Sequence, residues 1–163
     1  MSQLSLVNAD LPAVVDSLIV ELSDDRLLIP MSAVAEVVRE VKPQSDSSMP
    51  QWMYGWLDWR HMRIPLCSFE GLSGKPAPAL PVPAHALVVN TLNGGEELPF
   101  FGLLIQNFPG PVRVAEDDDV QQVEMTAGET DSAFLMKLIL DKQTAFIPDL
   151  EKVEQLILKY LNG

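Results

Sequence analysis

One cysteine, two histidines and eleven basic residues are all that this chain of 163 residues offers for three kinds of chemistry. The single Cys67 excludes an intramolecular disulfide framework and a multi-cysteine metal site. His61 and His85 lack partners at metal-ligand spacing; His61 falls in a predicted turn and reads as solvated, and His85 opens a strand after Pro83. Lys and Arg number 11 against 23 Asp and Glu, a formal net charge of −12. Binding nucleic acid rests on neutralising phosphates, and an anionic membrane surface asks for the same positive charge, so both partners are disfavoured. No apolar run approaches the roughly 20 residues that a membrane span needs. Met1 to Asp16 has no basic residue and carries Asp10 and Pro12, unlike a secretory signal. The chain reads as cytoplasmic.

Motifs for chemistry are also missing. There is no G-x-S-x-G nucleophile elbow, no P-loop and no G-x-G-x-x-G. Cys67, within Ile64 to Phe69, reads as a small core hydrophobe rather than a reactive thiol. The acidic run Glu116-Asp-Asp-Asp119 lacks the sharp-turn glycine and distal glutamate of an EF-hand calcium loop, so it reads as a solvated turn. No catalytic residue, metal or cofactor is predicted. What remains is a protein that binds other molecules.

A hydrophobic content of 47% supplies a real core, enough for one domain or two small fused lobes. Three segments share a pattern: Leu22 to Ile29-Pro30, Leu57 to Ile64-Pro65 and Leu140 to Ile147-Pro148. In each an apolar run turns through polar residues and returns as a strand ending at proline, which cannot donate to a ladder. These predict three β-hairpins. Ala86 to Val89 and Phe100 to Ile105 flank the turn signal Asn93-Gly94-Gly95, with weaker strands at Val112 to Val114 and Val120 to Val123.

Two segments read as helix. Ser32 can cap a short one carrying Val34, Val37, Val38 and Val41 at i, i+3, i+4, i+7 spacing, though its β-branched content is poor helix material. The second starts at Asp149 and puts Leu150, Val153, Leu156, Ile157, Tyr160 and Leu161 on one face. Between Gly71 and Pro83 four prolines fall within eight residues, which reads as an extended crossover between two β lobes. The expected organisation is an N-terminal extension 1–16, a first lobe 17–70, the crossover 71–83, a second lobe 84–148 and a C-terminal helix 149–161. Eight to ten short strands with few helices argue for barrels or sandwiches. Of the three tryptophans, Trp52 and Trp56 are expected to fill the first lobe's core, and Trp59, beside Arg60 in a turn, to be exposed for a partner.

The segment Pro50-Gln-Trp-Met-Tyr-Gly55-Trp-Leu-Asp-Trp-Arg60-His-Met-Arg-Ile64-Pro65-Leu resembles the central signature of CheW-type domains, with its Pro-x-aromatic, Gly, Asn-Leu-Arg-Gly and Ile-Pro elements. Upstream, Leu18 to Leu22, Arg26 to Ile29 and Val34-Ala-Glu36-Val37-Val38 are similar to the family's two strands and Val-x-Glu-Ile helix. Downstream, Phe101-Gly102-Leu-Leu-Ile105 and Val112-Arg-Val114 also fit, so the likeness covers roughly residues 17 to 158. The chain departs from the pattern at Asp58, Trp59 and His61, which stand for Asn, Leu and Gly, and at Gln106 and Ser68-Phe69, which stand for Asp and Asp-Leu.

The resemblance implies a mainly β fold of two five-stranded SH3-like barrels packed together, with short helices and a C-terminal helix. It implies a non-catalytic adaptor that couples methyl-accepting chemoreceptors to a CheA-type histidine kinase. A freestanding divergent copy is similar to the ChpC-type auxiliary couplers of pilus-linked systems in twitching motility. It places partner contacts at Val34, Glu36, Arg60 and Val112, with Trp59 added from its expected exposure. The competing expectation, from a different class, is a small-ligand sensing module using the cleft between the lobes.

Overall fold

The computed structural model describes residues 14–115 and 120–163. The acidic run Glu116 to Asp119 and residues 1–13 of the N-terminal extension lie outside the described residues. Among the described residues eleven strands follow in chain order: β1 (Val14–Glu21), β2 (Arg26–Pro30), β3 (Val34–Val41), β4 (Met53–Trp59), β5 (Met62–Cys67), β6 (Ala84–Asn90), β7 (Phe100–Ile105), β8 (Gly110–Ala115), β9 (Val120–Val123), β10 (Phe134–Leu140) and β11 (Gln143–Pro148). A 3-10 turn at Met31–Ala33 precedes β3, and three helices complete the set: α1 (Phe69–Leu72), α2 (Ala127–Asp131) and α3 (Leu150–Asn162).

The three predicted hairpins form. β1 pairs with β2, β4 with β5 and β10 with β11, each antiparallel. Two of them close through two-residue turns, Arg60-His61 and Asp141-Lys142, with all four residues at positive φ. Positive φ at both central residues is the mirror-image turn whose twist matches that of the flanking strands.

The strands form two sheets. One has the order β8-β1-β2-β11-β10-β9 and the other β3-β6-β7-β5-β4. This differs from a division at the proline-rich crossover, because β6 and β7, which follow it, lie in one sheet with β3, β4 and β5. β5 and β7 pair in parallel across the crossover, Leu66 opposite Gly102, which an antiparallel hairpin chain could not do without such a long connection. The crossover itself stays close to this sheet: the Tyr54 hydroxyl donates to the Pro78 carbonyl at 2.6 Å, and Leu80 packs on the sheet's inner cluster.

The five-stranded sheet curls until its ends meet. Gln44, just past β3, exchanges two backbone bonds of 2.9 Å with Trp56 of β4. Gly55 permits the approach, since a Cβ there would stand 2.5 Å from the Gln44 carbonyl oxygen.

Strand alternation then sorts side chains into three cores. Leu57, Trp59, Ile64, Leu66, Ala86 and Val88 fill the five-stranded sheet's own interior. Leu28, Leu138 and Ala145 do the same in the six-stranded sheet, with Ile19, Val112, Val114 and Val120 against them. Their alternates, Leu18, Val20, Leu27, Ile29, Leu87, Val89, Leu103 and Ile105, meet between the sheets. Strands buried on both faces are near-continuous in apolar residues, as Leu103-Leu-Ile105 and Leu87-Val-Val89 are.

The expected C-terminal helix covers that shared core. Asp149 caps α3 by accepting from the Lys152 N–H, and Val153 and Ile157 are fully buried beneath it. Tyr160 stays partly exposed, edge-on to Trp52 at 5.5 Å.

The predicted helix over Ser32 to Val41 is a strand instead. Two register shifts, between Val34 and Glu36 and between Val38 and Val41, each insert an extra residue into β3. Val34 and Val37 therefore face the shared core while Ala35, Val38 and Val41 face the sheet's own cluster. Bulges turn a period of two into a spacing that imitates a helix. The run of valines follows strand preference.

Candidate partner-binding surface

The two ends of the five-stranded sheet, β3 and β4, face each other across a seam. Gln44 and Trp56 close one end of it. The other end holds two side chains on one acceptor. Glu36 Oε1 accepts from the Trp59 indole N–H at 3.2 Å and from Arg60 Nη2 at 3.0 Å. Between these closures lies a groove of about 260 Å³ lined by Val38, Arg39, Val41, Leu57, Asp58 and Trp59.

Each side chain is placed by local structure. The Arg60-His61 turn is only two residues long, so Trp59 is the last strand residue and lies opposite Met62. It therefore continues the inward series Met53, Gly55, Leu57, and is buried at 7% exposure. Its expected exposure is corrected by that count. The ring stands edge-on to Phe100 at 4.8 Å, and the Arg60 guanidinium lies 4.6 Å over its face. Trp52 and Trp56, expected in the core, are half-buried, the first against Tyr160 and the second 5.7 Å beneath the Arg63 guanidinium.

Arg60 and Glu36 stay in solvent, with side chains 60% and 42% exposed. Glu36, Trp59 and Arg60 are thus brought together. Val34 is on the same strand, opposite Val89, but packs toward the shared core. Val112 is in the other sheet, opposite Ser17 on β1, and packs on that sheet's interior.

Other predicted positions fall as follows. His61 is exposed in its turn, while His85 lies in β6, where Nδ1 accepts from the Glu40 N–H at 3.2 Å and the ring lies 5.1 Å from Phe108. Cys67 is fully buried, and burial pushes its thiol well up from the ordinary range. Among the described residues no three His, Cys, Asp or Glu side chains stand close enough to share a metal ion, and no helix is long and apolar enough to cross a membrane.

Two buried carboxylates escaped the sequence reading. Glu70 of α1 accepts from the Ser23 N–H at 3.0 Å and hydroxyl at 2.8 Å, fastening the β1–β2 turn. Glu154 of α3 holds the backbone N–H groups of Leu92 and Asn93. A signal existed for Glu154 alone: it is four residues from Leu150 and interrupts the apolar face of α3.

The profile of the CheW-like domain matches residues 16–156. The chain belongs to the CheW-like domain family. Among solved structures it is similar to the scaffolding protein TtCheW from Thermoanaerobacter tengcongensis, with a TM-score of 0.64 and 17% identity, covering 82% of this chain and 88% of that one. No curated protein matches it significantly. As a CheW-like domain it has the mainly β fold of two sheets and a C-terminal helix described above.

Proposed function

We propose that this CheW-like chain is a non-catalytic adaptor that couples chemoreceptors to a CheA-type histidine kinase, as a divergent member of the kind that serves pilus-linked systems. What supports the reading, beyond family membership, is the solvent-facing Glu36–Arg60 pair seated on the buried Trp59 at the mouth of the seam. A planar guanidinium backed by an aromatic face is an interface anchor that is already ordered, so little entropy is lost when a partner meets it. The edges of β3 and β4 beside it suit a partner that adds an extended segment. A small-ligand role in the cleft between the sheets has no support, because side chains fill that space: Phe134 and Phe146 stack there at 4.0 Å.

The test is co-purification of the chain with a chemoreceptor cytoplasmic fragment and a CheA-type kinase, wild type against Arg60→Ala. The variant is expected to keep its melting temperature and to lose binding to at least one partner by roughly ten-fold or more. Folded Arg60→Ala protein that binds both as tightly as wild type would remove the seam from the adaptor surface.

A further inference from the structure

The loop 91–99, between β6 and β7, is fastened to α3 at three points. Glu154, 1% exposed, takes the Leu92 N–H at 2.7 Å and the Asn93 N–H beside it. On either side two asparagine amides reach across in opposite senses. Asn93 Nδ2 of the loop donates to Glu151 Oε2 of the helix at 3.2 Å, and Asn162 Nδ2 of the helix donates to Glu97 Oε1 of the loop at 3.3 Å. Both asparagines are followed by glycine, Gly94 and Gly163. At the first the glycine is imposed by the fold, since a Cβ on Gly94 would stand 2.0 Å from the Leu98 carbonyl oxygen.

We propose that Asn93-Gly94 and Asn162-Gly163 are paired sites of spontaneous deamidation whose modification releases α3 from the loop. In the reaction the backbone nitrogen of the glycine gives up its proton and bonds to the asparagine Cγ. The Cγ–Nδ2 bond breaks, and the nitrogen leaves with that proton as ammonia. Water then opens the resulting succinimide at either carbonyl, leaving aspartate or isoaspartate. Water is the only co-reactant.

Glycine favours ring closure because it has no side chain to cover the attacking nitrogen. Asn93 is exposed and lies in irregular chain, while Glu154 on the Leu92 and Asn93 N–H groups and the Leu98 N–H on the Gly94 carbonyl hold the backbone beside it, so ring closure there follows local opening of the loop. Asn162 is the last residue of α3, where the ladder ends.

The product acts on the fastening directly. At each clamp an amide donor becomes a carboxylate, so an N–H···O bond to Glu151 or Glu97 becomes a like-charge contact. Isoaspartate at 93 also adds a backbone carbon just after the N–H that Glu154 holds. Glu154 is then a buried carboxylate with fewer donors, and loop and helix separate locally.

The experiment ages the full chain at body temperature and mildly alkaline pH, then maps peptides and measures amide hydrogen exchange. Asn90-Thr91 and Asn107-Phe108 serve as comparisons within the same chain. Conversion at Asn93 and Asn162 is expected several-fold ahead of those two, with faster exchange confined to loop 91–99 and α3. The double variant Asn93→Asp/Asn162→Asp should show the same exchange and melt about 2–4 °C lower. Asn93→Gln/Asn162→Gln should keep wild-type exchange and resist ageing. Conversion no faster than at Asn90 and Asn107, or conversion that leaves exchange in the loop and helix unchanged, would overturn the proposal.

Discussion

Glu36 carries two bonds of unequal consequence, and that inequality can be measured. Arg60 is solvent-exposed, and an exposed ion pair contributes about 0–1 kcal/mol. The Trp59 indole N–H is buried at the seam, so removing its acceptor leaves a donor without a partner at a cost of about 1–3 kcal/mol. In urea unfolding Glu36→Ala should therefore lose clearly more stability than Arg60→Ala, although both break the same ion pair. Equal losses would mean that the indole bond contributes nothing. The asymmetry also explains why arginine is the cleaner probe of binding: its replacement leaves Trp59 bonded to Glu36.

At the scale of elements, small local devices set where strands and helices begin. Thr126 and Glu129 form a reciprocal capping box at α2, and Glu129 also pairs with Lys137 of β10 at 3.2 Å. The Thr126 backbone N–H, followed by Lys137, holds the Glu129 carboxyl below its ordinary range despite some opposing desolvation. A carboxyl whose folded pKa is depressed contributes stability above its unfolded pKa, and that contribution is lost as pH falls through the folded value. Wild type is expected to be more stable than Glu129→Gln at neutral pH, with the gap closing below the ordinary carboxylate range. Melting curves of the two proteins across acid pH check this, and a gap that persisted at low pH would refute the assignment.

At the scale of the whole molecule, each sheet has an interior of its own, but the opposite faces of both meet in the core that α3 covers, so neither sheet is fully buried without the other. Ile157 is fully buried in that shared core. Ile157→Ala should cost about 2–4 kcal/mol and lower the stability of both sheets together in one cooperative transition. Hydrogen exchange resolved by strand reads this out. Loss of protection in one sheet while the other kept its full stability would show the sheets to be independent units.

Much of this was legible in the chain. Hairpins were readable because they are local: an apolar run, a polar turn and a strand ending at proline lie within ten residues or so, and period-two alternation acts on neighbours. The apolar face of α3 was readable for the same reason, as was the burial of Cys67. Three things needed the tertiary structure. Valines 34, 37, 38 and 41 spell a helix unless the two bulges of β3 are seen, and those exist only because β6 lies alongside. Trp59 reads as a turn residue until its pairing with Met62 shows that the strand runs through it. The partition of strands between sheets crosses the proline-rich segment, because pairing such as that of β5 with β7 joins residues far apart in sequence. Glu36, Trp59 and Arg60 converge for that last reason. The chain determined its hairpins and its helix face through short-range patterns of polarity, while the seam was decided by long-range strand pairing, which leaves no periodic trace in either segment alone.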